Sequence, residues 1–217
     1  MDSCSRTRRF WLRACTAGAL SPFVSRGFAA DSLPVIPGVH RVFGDVSVNG
    51  KPAYKGLLVQ PGDEIVTGSR SEAVFVIGQD AFLLRDSSVV RFGAASATTF
   101  MRIVTGKILS VFGRGEKSIA VSTAVIGIRG TGCYIEESGK QTYFCLCYGE
   151  AEIVPLVSPK DREIIRTTHH DHPIYINADS AMPTSMVPAE VVNHSDAELT
   201  FLESLVGRTP SFTASQY

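Results

Sequence analysis

Val121-Ser-Thr-Ala-Val-Ile-Gly-Ile-Arg-Gly-Thr-Gly-Cys133 decides the fold class of this chain. It reads as a strand, a glycine-marked break at Arg129-Gly130-Thr131, and a second strand. It closes a long run of β-type sequence. From Ile36 to Val157 the pattern is strand and turn, with apolar runs at 39–43, 46–48, 73–77, 81–84, 88–92, 103–104, 107–112, 118–122 and 132–135. Asn49-Gly50, Lys55-Gly56 and Pro61-Gly62-Asp63 mark turns between them. Strands about ten residues apart with glycine at the junctions predict an all-β sandwich, roll or barrel of short antiparallel strands. No helical period appears in this stretch.

Residues 158–217 read as a tail. Pro155, Pro159, Pro173, Pro183 and Pro188 interrupt the approach to Ser195-Asp-Ala-Glu198, a capping box. Leu199, Leu202, Leu205 and Val206 then line one face of a short helix over about 196–206, with Gly207 at the stop position. That face predicts a tail that returns over the β-domain.

Residues 1–30 read as a targeting segment rather than fold. Thr7-Arg-Arg-Phe-Trp-Leu12 looks like a twin-arginine export signal, the apolar stretch behind it is short and broken, and Gly27-Phe-Ala-Ala30 offers a cleavage site near Ala30. A Sec signal with an incidental arginine pair is the alternative. The segment carries five Arg and one Asp; without it the 21 basic and 21 acidic residues of the chain become 16 and 20. A mildly acidic mature domain, 31–157 plus its tail, without a basic stripe gives no support for nucleic-acid binding, and no stable membrane insertion after cleavage is expected.

The chemistry-bearing residues are clustered. Cys133, Cys145 and Cys147 flank Glu136–Gln141, which reads as a hairpin loop. A hairpin symmetric about Gly139 sets Cys133 opposite Cys145 and all three sulfurs on one face; a one-residue slip moves Cys133 to the other. A Cys133–Cys145 disulfide, a thiolate-bound transition metal, and three small core residues all fit this pattern. The disulfide is the default in an oxidising compartment, and export of a folded protein from a reducing cytoplasm tips the metal reading upward. Four of the five histidines, His169, His170, His172 and His194, lie in the tail. Imidazole is a common ligand and Asp171 a candidate ligand or an acceptor that orients a ligating imidazole, although the spacing matches no standard zinc motif and a solvated loop is the plain alternative. No phosphate loop, nucleophile elbow or paired His-x-x-x-His is present, so the sequence names no catalytic residue. A Cys-dependent enzyme, for example through Cys147 and His170, is the weakest reading.

Leu57-Leu-Val-Gln-Pro-Gly-Asp-Glu-Ile-Val-Thr-Gly68 and the Val121–Cys133 segment together resemble the periplasmic FecR domain. There a Gly-Asp-x-Ile/Val-x-Thr turn, here Gly62, Asp63 and Thr67, precedes an Arg-Gly-Thr segment, here Arg129, Gly130 and Thr131. The resemblance covers roughly residues 35–155. It implies an exported binding, scaffolding or regulatory module whose partner is another protein of the cell envelope, here without the family's usual cytoplasmic and transmembrane parts. Gly130 is expected to permit a bend or positive φ, Arg129 to bond an acid or carbonyls across the domain, and Thr131 to tie the turn. Metal handling or redox chemistry at the thiol and imidazole groups is the alternative function.

Overall fold

The computed structural model describes residues 34–94 and 97–212. The expected export signal and cleavage point lie outside the described residues. The strands are β1 (Gly38–Phe43), β2 (Val46–Val48), β3 (Lys51–Pro52), β4 (Glu64–Thr67), β5 (Glu72–Ile77), β6 (Asp80–Leu84), β7 (Val89–Phe92), β8 (Met101–Val111), β9 (Glu116–Ala120), β10 (Ala124–Glu137), β11 (Gln141–Pro155), β12 (Glu163–Thr167), β13 (Ile174–Asn177) and β14 (Met186–Pro188). One helix, α1 (Asp196–Leu205), follows. The all-β expectation holds, and so does the helix. Among the described residues no helix is long and apolar enough to cross a membrane.

All the strands join one sheet, ordered β14-β13-β11-β10-β9-β8-β7-β4-β2-β3, with β1-β5-β6 branching from β8 and β12 from β11. The sheet folds on itself because its longest strands bend and change partners. The lower half of β10 pairs with β9 and its upper half with β8, and the register shifts between Arg129 and Gly132. Gly130 supplies the backbone for this bulge at φ +56°. On the facing strand Gly149 has φ +103°, and a Cβ there would lie 2.7 Å from the Thr131 methyl. The break read at Arg129-Gly130-Thr131 is therefore a corner within one strand.

Folding the sheet creates two apolar layers. The inner one holds Phe75, Phe82, Ile108, Ile126, Cys133, Ile135, Phe144 and Leu146. The outer one, on the opposite face of the same strands, holds Val74, Val76, Leu83, Leu109, Tyr134, Tyr143, Cys145 and Cys147, and α1 closes it with Leu199, Leu202 and Val206. Burying each such side chain is worth about 1.5–3 kcal/mol.

Residues 158–212 do more than carry one helix. They add β12, β13 and β14 to the sheet and belong to the same compact unit as the rest of the domain. The prolines allow this because they sit at element ends. Pro155 ends β11, Pro159 opens a 3-10 turn, Pro173 precedes β13 and Pro188 ends the edge strand β14.

The first glycine motif is a stapled turn. Gly62 has φ +96°. Asp63 accepts from Asn49 Nδ2 and from the Gln60 N–H, both at 2.7 Å. Thr67 Oγ1 donates to the Arg85 carbonyl at 2.5 Å and accepts from the Ser88 N–H at 3.0 Å.

Candidate metal centre

The hairpin joining β10 to β11 turns between Gly139 and Lys140, not on Gly139. The Ser138 N–H donates to the Gln141 carbonyl at 3.2 Å, and Gly139 takes φ +84°, as the first central residue of a two-residue turn requires. Tyr134 thus faces Cys145, and Cys133 faces Leu146. This is one residue off the symmetric register, and it sends Cys133 into the inner core. All three cysteines are buried free thiols, so the Cys133–Cys145 disulfide is not formed. Cys145 and Cys147 keep their shared face.

Two tail segments bring imidazoles to that face. β12 pairs alongside Gly149–Ile153, and the chain then turns through 168–173. Asp171 closes this turn by accepting from Thr167 Oγ1 at 2.5 Å and from the Thr168 N–H at 3.2 Å. Its carboxyl is held below the usual range, first by the Thr167 bond. His170 is held in left-handed backbone, φ +51°, with its N–H on the Cys147 carbonyl at 3.0 Å. The second segment ends in the capping box of α1, complete in both directions through Ser195 and Glu198. His194 stands just before this cap, its ring stacked on Tyr134 at 4.6 Å.

Ligand atoms of Cys145, Cys147, His170 and His194 all lie within 4.8 Å of one another. Cys145 Sγ is 3.4 Å from His170 Nδ1, which is 3.1 Å from His194 Nε2. A tetrahedral zinc ion with Zn–S and Zn–N bonds of ordinary length spaces its ligand atoms by about 3.3–3.8 Å. The outer nitrogens fix the tautomers. His194 Nδ1 donates to the Val192 carbonyl at 2.6 Å, and His170 Nε2 to Asp196 Oδ1 at 3.1 Å. His170 Nδ1 and His194 Nε2 therefore turn lone pairs toward each other and toward sulfur. Such a grouping needs a cation at its centre, a proton or a metal ion. A ligating imidazole whose other N–H is held by a carboxylate or carbonyl is the usual arrangement at metal sites.

The titration behaviour follows this geometry. Cys145 is pushed down by its hydrogen bond with Cys147 and then by His170 and His194, against the effect of burial. Burial disfavours the His170 imidazolium, but Cys145 and Asp196 outweigh it and raise His170. Cys147 is pushed well up, first by burial and then by Cys145.

His172 is exposed and outside the cluster. His169 lies beside it, its Nε2 2.9 Å from Asp196 Oδ2 and its ring 4.7 Å from that of Phe212. Asp196, which orients both His169 and His170, went unread in the sequence because its place in the first turn of a capped helix already explained it. Its spacing of two from His194 was the available signal. Cys145, His170 and Asp196 form a line like that of a nucleophilic enzyme, with Cys145 in the place given to Cys147. The neighbouring cavity of about 720 Å³ reaches His170, His194 and Asp196 but neither cysteine. Cys145 is fully buried beneath that cavity's lining.

No family model and no curated protein matches this sequence. Two crystal structures of a provisionally assigned anti-sigma factor from Parabacteroides distasonis ATCC 8503 are similar in fold. Each has 10% identity and a TM-score of 0.48. One alignment covers 58% of this chain and 59% of that chain, the other 71% and 81%.

Proposed function

We propose that this chain is a metal-binding FecR-like module of the bacterial periplasm, holding a zinc-like ion through Cys145, Cys147, His170 and His194. The observation that carries the metal is the meeting of four ligand atoms within 4.8 Å, with both imidazoles locked so that their bare nitrogens face sulfur. Two thiolates and two imidazoles suit zinc or copper(I) and disfavour calcium and magnesium. Four protein ligands leave no open position, which is the pattern of a structural or regulatory centre rather than a catalytic one. The FecR-like motifs and the twin-arginine-like segment support export and a regulatory or scaffolding role toward another envelope protein. Elemental analysis of protein isolated from the periplasm without added metal tests the centre. About one zinc or copper per chain is expected, lost in Cys145→Ser/Cys147→Ser and kept in Cys133→Ser and His172→Gln. Negligible metal in the unsubstituted protein, together with no uptake of added zinc, refutes it. Intact mass of the same material should give a chain beginning near Asp31; a product that keeps Met1 refutes export with cleavage.

A further inference from the structure

We infer that metal at this centre latches the segment 189–208 onto the sheet, so that occupancy controls whether the outer apolar layer is covered. The inference rests on the proposed metal site and adds its regulation.

The four ligands come from three segments. Cys145 and Cys147 belong to β11, in the middle of the sheet, and His170 is tied to that strand by its own backbone N–H. His194 alone belongs to the strap that crosses the sheet and leads into α1. Without it, the strap is held by the packing of Ala189 and Val192 on the outer layer and by polar contacts. The Ala189 N–H donates to the Pro173 carbonyl at 2.9 Å, and Tyr143 Oη donates to the Glu190 carbonyl at 2.9 Å. Arg85 reaches the Asn193 carbonyl and Glu198, each at 2.8 Å. Asn193, at φ +56°, sets the bend that aims His194 inward. Beyond the cap, α1 and its C-terminal cap add Leu199, Leu202 and Val206, which share one buried cluster with Val74, Val76, Leu83 and Leu109. A helix of ten residues is marginal by itself, so it stays formed only while docked.

Opening this segment pulls His194 away and leaves three ligands on the sheet and its turn. The metal therefore opposes opening by the ratio of its four-ligand to its three-ligand affinity. Coupling between two such states is typically about 5–150-fold. Asp196 strengthens the coupling, because the first residue of α1 also holds His170 Nε2. Leaving the site empty removes one tie of this segment and leaves the others, the Tyr148–Glu203 bond and the packing of Leu199, Leu202 and Val206 among them, to hold it alone, and the apolar layer beneath α1 becomes the surface that changes.

Amide hydrogen exchange on the full chain, zinc-loaded against chelator-treated, tests the latch. Zinc should slow exchange across 199–208 by about 5–150-fold in the unsubstituted protein. His194→Gln should still bind zinc through three ligands and protect amides near Cys145, yet show no zinc-dependent slowing in 199–208. His172→Gln should behave as the unsubstituted protein. Stoichiometric zinc that protects β11 but leaves 199–208 unchanged overturns the latch and leaves the metal site standing. Slowing at 199–208 that persists in His194→Gln also overturns it. Absence of both zinc and copper(I) binding overturns both.

Discussion

Gly130 and Gly106 both hold left-handed backbone within a strand, at φ +56° and +95°, but their surroundings differ. An added Cβ at Gly130 meets nothing within 4 Å, whereas at Gly106 it would lie 2.4 Å from the Cα of Ser88. Gly130→Ala should therefore cost only the backbone strain, about 1–2 kcal/mol. Gly106→Ala should add about 1–3 kcal/mol of overpacking to a similar strain. Urea midpoints of the two variants measured side by side check the order; equal losses would contradict the contact argument. Thr131 departs from its expected role, because its buried Oγ1 has no hydrogen-bond partner. Thr131→Val keeps the shape and removes an unsatisfied polar atom, so it should be neutral or stabilising by up to about 1 kcal/mol in the same assay. Arg129 does meet acids, Glu116 at 2.6 Å and Glu150 at 3.7 Å, but its side chain is largely exposed. Its replacement by Ala should cost about 1 kcal/mol or less.

At the scale of elements, the sequence displayed most clearly what local chemistry alone determines. The capping box and leucine face placed α1 within a residue of its observed ends, since a cap is built from four consecutive residues. Ser195→Ala should destabilise the protein by about 0.5–2 kcal/mol, read from the urea midpoint and from faster amide exchange in the first turn of α1. The hairpin register was less legible. Ser138, Gly139, Lys140 and Gln141 can turn about a residue or about a peptide bond, and only the cross-strand fit of Tyr134, Cys145, Cys133 and Leu146 chooses between them. That choice left Cys145 and Cys147 together and removed Cys133. β12–β14 were hidden for another reason. Short strands set among turns and prolines resemble loop sequence until the neighbour they pair with is known. The meeting of Cys145 with His170 and His194 was legible only as far as the leucine face required the tail to come back.

At the scale of the whole molecule, the boundary drawn after Val157 by the strand-and-turn pattern does not coincide with a boundary in the packing. Residues beyond it supply the pairing partners of β11 along both of its halves, through β13 at Gln141–Phe144 and β12 at Gly149–Ile153. They also supply Leu199, Leu202 and Val206, which close the outer layer. A chain ending at Val157 leaves the edge of β11 opposite β10 unpaired along both halves and opens Val74, Val76, Leu83, Leu109 and Tyr143 to water. At about 1.5–3 kcal/mol for each large side chain re-exposed, this loss matches or exceeds the 5–15 kcal/mol that holds an ordinary domain folded. The truncated chain should therefore fail to give a monomeric, cooperatively unfolding protein, and should associate through its bare edges. Analytical ultracentrifugation with urea unfolding followed by circular dichroism checks this. A monomer of residues 31–157 with a single sharp transition would show that the β-region is autonomous and that the tail is an accessory. Association or a broad transition, reversed when the same chain is extended to residue 212, would show that the tail completes the fold that carries the centre.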